Sequence, residues 1–183
     1  MSESTKRGVR LTIVGVLLFM TVVVASFIHR IGEPRIISVA ETRANGLFIF
    51  DTPRALGDFS LVDHNAEPFT QTALIGHWTL VFFGFTHCPD ICPTTMAELA
   101  ELKAQLADTE ARDARVAMVS VDPARDTPER MAEYVPYFHP DFLGVTGEFA
   151  DILSFAQRLN VPFRKVSEPE GAYQMEHLSL IHI

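Results

Sequence analysis

The chain has 183 residues, 48% of them hydrophobic, with 23 acidic against 15 basic side chains and a net charge of −8. After Arg35 ten basic residues face twenty-one acidic ones, about −11, and the basic residues are scattered rather than gathered into a stripe. Such a surface repels phosphate, which excludes nucleic acid as a partner, while the length remaining after an apolar N-terminal run suffices for one globular domain with its own core.

Leu11 to Ile28 contain no charged residue. Eighteen helical residues rise about 27 Å, close to the thickness of a bilayer core, so residues 11–28 read as one transmembrane anchor. Lys6, Arg7 and Arg10 precede the run and His29 and Arg30 follow it. The positive-inside bias then places residues 1–10 in the cytoplasm and the rest of the chain in the periplasm or another extracytoplasmic space. A cleaved signal peptide is the alternative; its apolar region is usually shorter, and Val23-Val24-Ala25 is a poor small-x-small site. Residues 29–55 read as a tether, with Pro34, Gly46 and Pro53 breaking its short apolar runs.

Next, Phe59-Ser60-Leu61-Val62 and Pro68-Phe69 flank Asp63-His64-Asn65-Ala66, the pattern of a small β-hairpin. Trp78 to Phe85 predicts a buried central strand, with Trp78, Phe82, Phe83 and Phe85 as core. Met96, Leu99, Leu102 and Leu106 recur at three- and four-residue steps, predicting an amphipathic helix after Pro93. Arg115 to Val121 reads as a second strand. Thr127 before Pro128 supplies an N-cap and a first-turn proline for a helix running toward Phe138. Phe142 to Val145 predicts a short strand, Glu148 to Leu159 a helix with Phe149, Ile152, Leu153 and Ala156 on one face, and Val161 to Val166 another strand. Strands alternating with helices imply an α/β domain with a covered sheet.

Cys88 and Cys92, the only cysteines, lie where the first strand pattern stops and a helical one begins. Unpaired N–H groups and the helix dipole at that point stabilise negative charge, so both thiols are expected to ionise readily and to serve a metal or disulfide exchange. A structural disulfide is the bland alternative, although such bridges usually tie distant segments. His87 beside Cys88 is a candidate donor or modulator, Asp90 a candidate for steadying the helix start, and Asp122 for either a turn or a place near the cysteines. Met96 reads as core; Met175 has a thioether able to contact a soft metal. His29, His64, His77 and His139 stand in boundary or turn contexts that require no metal.

Phe83-Gly84-Phe85-Thr86-His87-Cys88-Pro89-Asp90-Ile91-Cys92-Pro93 resembles the CxxxC segment of the SCO/SenC proteins, and Ser120-Val121-Asp122-Pro123-Ala124-Arg125-Asp126-Thr127-Pro128 resembles a second block of that family. Val161 to Val166 and Tyr173-Gln174-Met175-Glu176-His177 resemble the stretch leading to its third copper ligand. The resemblance implies a thioredoxin-like fold over residues 56–177, a central mixed sheet flanked by helices and preceded by one transmembrane helix. It also implies copper, Cu(I) or Cu(II), held by Cys88, Cys92 and His177. The implied partners are the copper-bearing subunit of cytochrome c oxidase and other copper carriers.

The chain departs from the family at its end. Family members continue past this histidine through a strand and a closing helix, whereas residues 178–183, Leu178-Ser179-Leu180-Ile181-His182-Ile183, end the sequence. Those six residues are what a transposon mosaic end encodes in one frame. The expectation is a non-native tail without a functional role for His182, a missing strand and helix, and an exposed sheet edge.

On the implied ligand set, two thiolates and an imidazole are soft enough to select Cu(I) while remaining acceptable to Cu(II). Structural zinc usually closes with four protein ligands. Oxidation of Cys88 and Cys92 to a disulfide removes both sulfurs at once, so loading requires reduced thiols. A copper chaperone without enzymatic turnover is therefore one reading. The other is a thiol-disulfide oxidoreductase using Cys88 and Cys92 as its redox pair, although redox enzymes of this fold typically use Cys-x-x-Cys.

Overall fold

The computed structural model describes residues 3–32, 37–167, 172–178 and 180–183. Pro34 with the rest of 33–36 in the expected tether, residues 168–171 and Ser179 of the tail lie outside the described residues. The chain divides into two compact units, Met1–Pro53 and Arg54–Ile183.

In the first unit, helix α1 runs Glu3–Gly32, longer at both ends than the uncharged run, and its segment Arg7–Arg30 is long and apolar enough to cross a membrane. Length and composition of this kind fit an anchor or a signal sequence. Thr12 and Thr21 turn their hydroxyls onto Gly8 O and Leu17 O, so the helix satisfies these polar groups internally. A short helix α2, Val39–Ala44, follows, started by Ser38, whose Oγ accepts from Glu41 N at 3.2 Å.

The second unit is built on a six-stranded mixed sheet of β1 Leu61–Asp63, β2 Pro68–Phe69, β3 Thr79–Gly84, β4 Arg115–Ser120, β5 Leu143–Thr146 and β8 Ile181–His182, in the order β2-β1-β5-β4-β3-β8. Strand β4 pairs in parallel with both β3 and β5, whereas β1 and β8 run antiparallel to their neighbours. The β1–β2 turn forms where the sequence predicts it: Asp63 Oδ1 accepts from Asn65 N and Glu67 N, and Ala66 takes the left-handed conformation with φ 64°. All six residues of β3 are buried, as an interior strand flanked on both faces requires.

Helices α3 Ile91–Leu106, α4 Pro128–Tyr134 and α5 Phe149–Arg158 flank the sheet. Thr127 caps α4 as its sequence implies, accepting from Arg130 N at 3.3 Å, but Pro136 shortens the helix and a single tight turn, Val135–Tyr137, replaces its last stretch. In α5 the inward side chains are Ile152, Phe155 and Ala156, while Phe149 stays largely exposed in the first turn, resting edge-on against Phe163. The expected core face is therefore rotated toward Phe155, whose ring meets Phe59 and Phe83.

Three further expectations are corrected. Trp78 is 66% exposed, because it precedes β3 and only its backbone O is used, accepting from Arg115 N. Strand β6, Phe163–Ser167, does not join the central sheet; it pairs with β7, Tyr173–His177, as a separate antiparallel ribbon. The tail does not leave the β3 edge bare: Ile181 and His182 pair with Phe82 and Val81. A strand edge with unpaired N–H and C=O groups is a template for any extended segment within reach.

Candidate functional site

At the carboxyl end of β3 the chain turns through Phe85-Thr86-His87-Cys88, with Cys88 N donating to Phe85 O at 3.2 Å. Helix α3 starts three residues later. Pro93 falls in its first turn, where a backbone N–H would have no helical partner in any case. Asp90 occupies the cap position but its carboxylate makes no capping bond; Cys88 Sγ does, accepting from Cys92 N at 3.4 Å. Both cysteines are free, Cys88 half-buried and Cys92 with 0% exposure. Cys92 sits against β3, and a Cβ added to Gly84 would meet its Sγ at 3.1 Å.

His177 comes from the other ribbon. Along β7 the side chains of Tyr173, Met175 and His177 point inward and those of Gln174 and Glu176 outward. This alternation brings His177 Nε2 to 3.9 Å from Cys92 Sγ and sets its ring edge-on to Phe85, centroids 5.8 Å apart. Its other nitrogen, Nδ1, lies 3.3 Å from Leu178 O. A proton on Nδ1 donated to that carbonyl leaves the Nε2 lone pair directed at sulfur. Burial holds the imidazole below its ordinary pKa, so the neutral form prevails at neutral pH.

The expectation of readily ionised thiols fails for Cys92. Burial, followed by the hydrogen bond with Cys88, pushes its thiol well above the ordinary range. Desolvation of a fully enclosed sulfur outweighs the helix terminus. Tyr134 is pushed up to about 12, by burial first and then by Cys92 and Cys88, and its hydroxyl is buried without a hydrogen-bond partner.

Beneath the cysteine turn lies a carboxylate that the motif contained but whose role the sequence left unread. Asp126, with 0% exposure, accepts from Thr86 N at 3.0 Å, Thr86 Oγ1 at 2.7 Å and Ser120 Oγ at 2.6 Å. It ties the turn ahead of Cys88 to the end of β4. His87 is half-exposed, its Nδ1 3.1 Å from Thr86 Oγ1 and 3.8 Å from Asp126 Oδ1, so its ring is turned toward the Asp126 network. Asp122 also stands by the site, buried and bonded to Tyr173 Oη at 2.9 Å and to Arg125 Nε. Met96 is core, and Met175, buried, lines a cavity with Asp122 and Phe149. His64 Nδ1 accepts from Gly144 N and His139 Nδ1 from Asp141 N, while His77 Nε2 lies 2.9 Å from Ala73 O.

Bonds of about 2.3 Å to sulfur and about 2.0 Å to nitrogen, meeting at tetrahedral to trigonal angles, span a sulfur–nitrogen edge of about 3.5 to 3.7 Å. The Cys92–His177 separation is close to that edge. Among the described residues no three His, Cys, Asp or Glu side chains already close into a metal-holding group; Cys88 and His177 each approach Cys92.

The SCO1/SenC profile matches residues 51–183. The chain belongs to the SCO1/SenC family. Arabidopsis thaliana ScoI, solved with copper bound, superimposes with a TM-score of 0.64 at 38% identity, covering 68% of this chain and 78% of that one, so the central sheet and helices are those of a thioredoxin-like SCO domain. A Stutzerimonas stutzeri protein named for copper binding is 40% identical over 124 residues, 68% of this chain and 61% of its own length. The mitochondrial SCO1 homolog 1 of A. thaliana is 37% identical over 127 residues, 69% of this chain and 38% of its own. The chain thus spans less than two thirds of these two SCO1/SenC relatives.

Proposed function

We propose that this chain binds one copper ion through Cys88 Sγ, Cys92 Sγ and His177 Nε2 and carries it to the binuclear copper centre of cytochrome c oxidase. The observation that carries the reading is the approach of His177 Nε2 to Cys92 Sγ, 3.9 Å, between segments 85 residues apart. Two sulfurs and one neutral imidazole make a soft donor set that suits Cu(I) and accepts Cu(II). The copper-bound SCO structure of similar sequence supports the same cargo. Binding displaces thiol protons, so a thiol of high pKa makes loading dependent on pH and keeps the empty site protonated.

In this reading residues 11–28 anchor the protein, residues 1–10 remain cytoplasmic, and the copper domain acts outside the cytoplasm, where its two cysteines must be kept reduced. The domain occupies residues 56–177; residues 178–183 supply no ligand, although the Leu178 carbonyl orients the His177 ring. The oxidoreductase reading is weaker: Cys88 and Cys92 are separated by three residues, whereas redox enzymes of this fold typically use Cys-x-x-Cys, and a disulfide-exchange pair gives no role to the imidazole of His177 beside Cys92.

The test is copper stoichiometry on the reduced, detergent-solubilised full chain beside Cys88→Ser and His177→Ala. Wild type is expected to hold about one copper per chain with sulfur and nitrogen coordination, and the variants to bind at least about 100-fold more weakly. A wild type that binds no copper yet exchanges disulfides overturns the proposal.

A further inference from the structure

The ribbon that carries His177 is not hydrogen-bonded into the central sheet. Its position against the cysteine turn therefore depends on side chains. Phe163 and Met175 anchor it by burial. The remaining contacts form a closed circuit: Tyr173 Oη donates to Asp122 at 2.9 Å, Arg125 Nε donates to the same carboxylate, and the Arg125 guanidinium lies 4.1 Å from the Tyr173 ring centroid and 5.8 Å from that of Phe85. Phe85 in turn meets the edge of His177. Tyr173 and His177 share the inward face of β7, about 13 Å apart along the strand.

We propose that Tyr173 and Arg125 are positioning residues that set how closely His177 meets Cys92, and thereby how long copper is retained; this rests on the copper reading above. A ribbon held at one end by a charge-assisted hydrogen bond and a cation–π contact is restrained along its length, because a strand paired to its neighbour is stiff. Arg125 also keeps Nη2 buried with no hydrogen-bond partner. Such an orphaned donor is costly, and the flat guanidinium packed between two rings gives a reason for tolerating it. Lys165 Nζ, 3.6 Å from the Tyr173 centroid, adds a second cation to that ring from β6.

The test uses the full chain in detergent, loaded with Cu(I), with release to an excess of a bidentate Cu(I) chelator as one readout and the electron paramagnetic resonance spectrum of the Cu(II) form as the other. Tyr173→Phe keeps the ring under Arg125 and removes only the hydroxyl; Arg125→Gln removes the cation. Each is also made in the His177→Ala background. The expected result is about tenfold faster release with a loss of nitrogen character in the spectrum, and less than a twofold further change once His177 is absent, since residues acting through one ligand are not additive. Should Arg125→Gln fail to fold, Tyr173→Phe carries the test. Release at the wild-type rate from Tyr173→Phe, or equal acceleration with and without His177, overturns the latch and leaves the copper reading standing. A wild type that binds no copper overturns both.

Discussion

Cys92 Sγ and His177 Nε2 stand 3.9 Å apart with one thiol hydrogen bond and one helix start between them and Cys88. The pair is assembled from opposite sides: the sulfur arrives on the first turn of α3, fixed by the end of β3, and the imidazole arrives on a ribbon that the central sheet does not hold by hydrogen bonds. Several measurable properties follow from this asymmetry.

The two cysteines should differ in reactivity. Cys88 is half-buried at the turn, whereas Cys92 is enclosed and its thiol is held protonated. A short iodoacetamide pulse on the reduced, copper-free protein at pH 8, read by peptide mass spectrometry, is expected to alkylate Cys88 at least about tenfold faster than Cys92. Equal labelling would remove the enclosed thiol from the account.

Stability should fall at both ends of the pH scale. Burial lowers the His177 pKa, so below about 6.5 the unfolded imidazole takes up a proton that the folded one resists; the unfolded state then binds more protons, and stability declines as pH falls through the folded pKa. Burial raises the Cys92 pKa, so above about 9 the unfolded thiol ionises while the folded one does not, and stability declines again. Urea midpoints of the reduced, copper-free protein measured from pH 5 to 10 are expected to peak between these limits, and His177→Ala to flatten the acid limb.

Asp126 should matter more to the site than its distance from the ligands implies. Its carboxylate accepts three hydrogen bonds with no exposure, two of them from Thr86. Asp126→Asn keeps the volume but presents donors to donors, leaving buried groups unpaired. A loss of about 2–4 kcal/mol is expected in urea unfolding followed by circular dichroism. A change below about 0.5 kcal/mol would show that the network does not hold the turn.

Gly84→Ala probes the packing beneath the sulfur. The added Cβ would lie 2.9 Å from Phe82 Cε1 and 3.1 Å from Cys92 Sγ, in a region where Phe82 and Met118 are fully buried. The expected cost is about 1–3 kcal/mol, with a shifted copper spectrum because Cys92 must yield. Unchanged stability and spectrum would mean that Cys92 and the start of α3 can move aside without cost.

Much of this molecule is legible in one dimension. The strand of Phe82 and Phe83, the helix of Met96 and Leu99, the Thr127 cap and the Asp63 turn all rest on local periodicity and local hydrogen bonding, and each forms where its residues place it. The cysteine pair is equally local, four residues at a strand-to-helix junction. What failed was judged from residue type alone: Trp78 faces solvent because it stands one residue outside the strand, and Phe155 replaces Phe149 in the core because the helix is rotated by its packing.

Local pattern determined the elements, the family motifs and the two sulfurs, since those depend on neighbours within a few residues. Tertiary structure alone decided that the β6–β7 ribbon leaves the sheet, that Asp126 braces the cysteine turn from forty residues away, and that Cys92 stays protonated, because pairing partners, burial and desolvation are set by chain segments that only folding brings together.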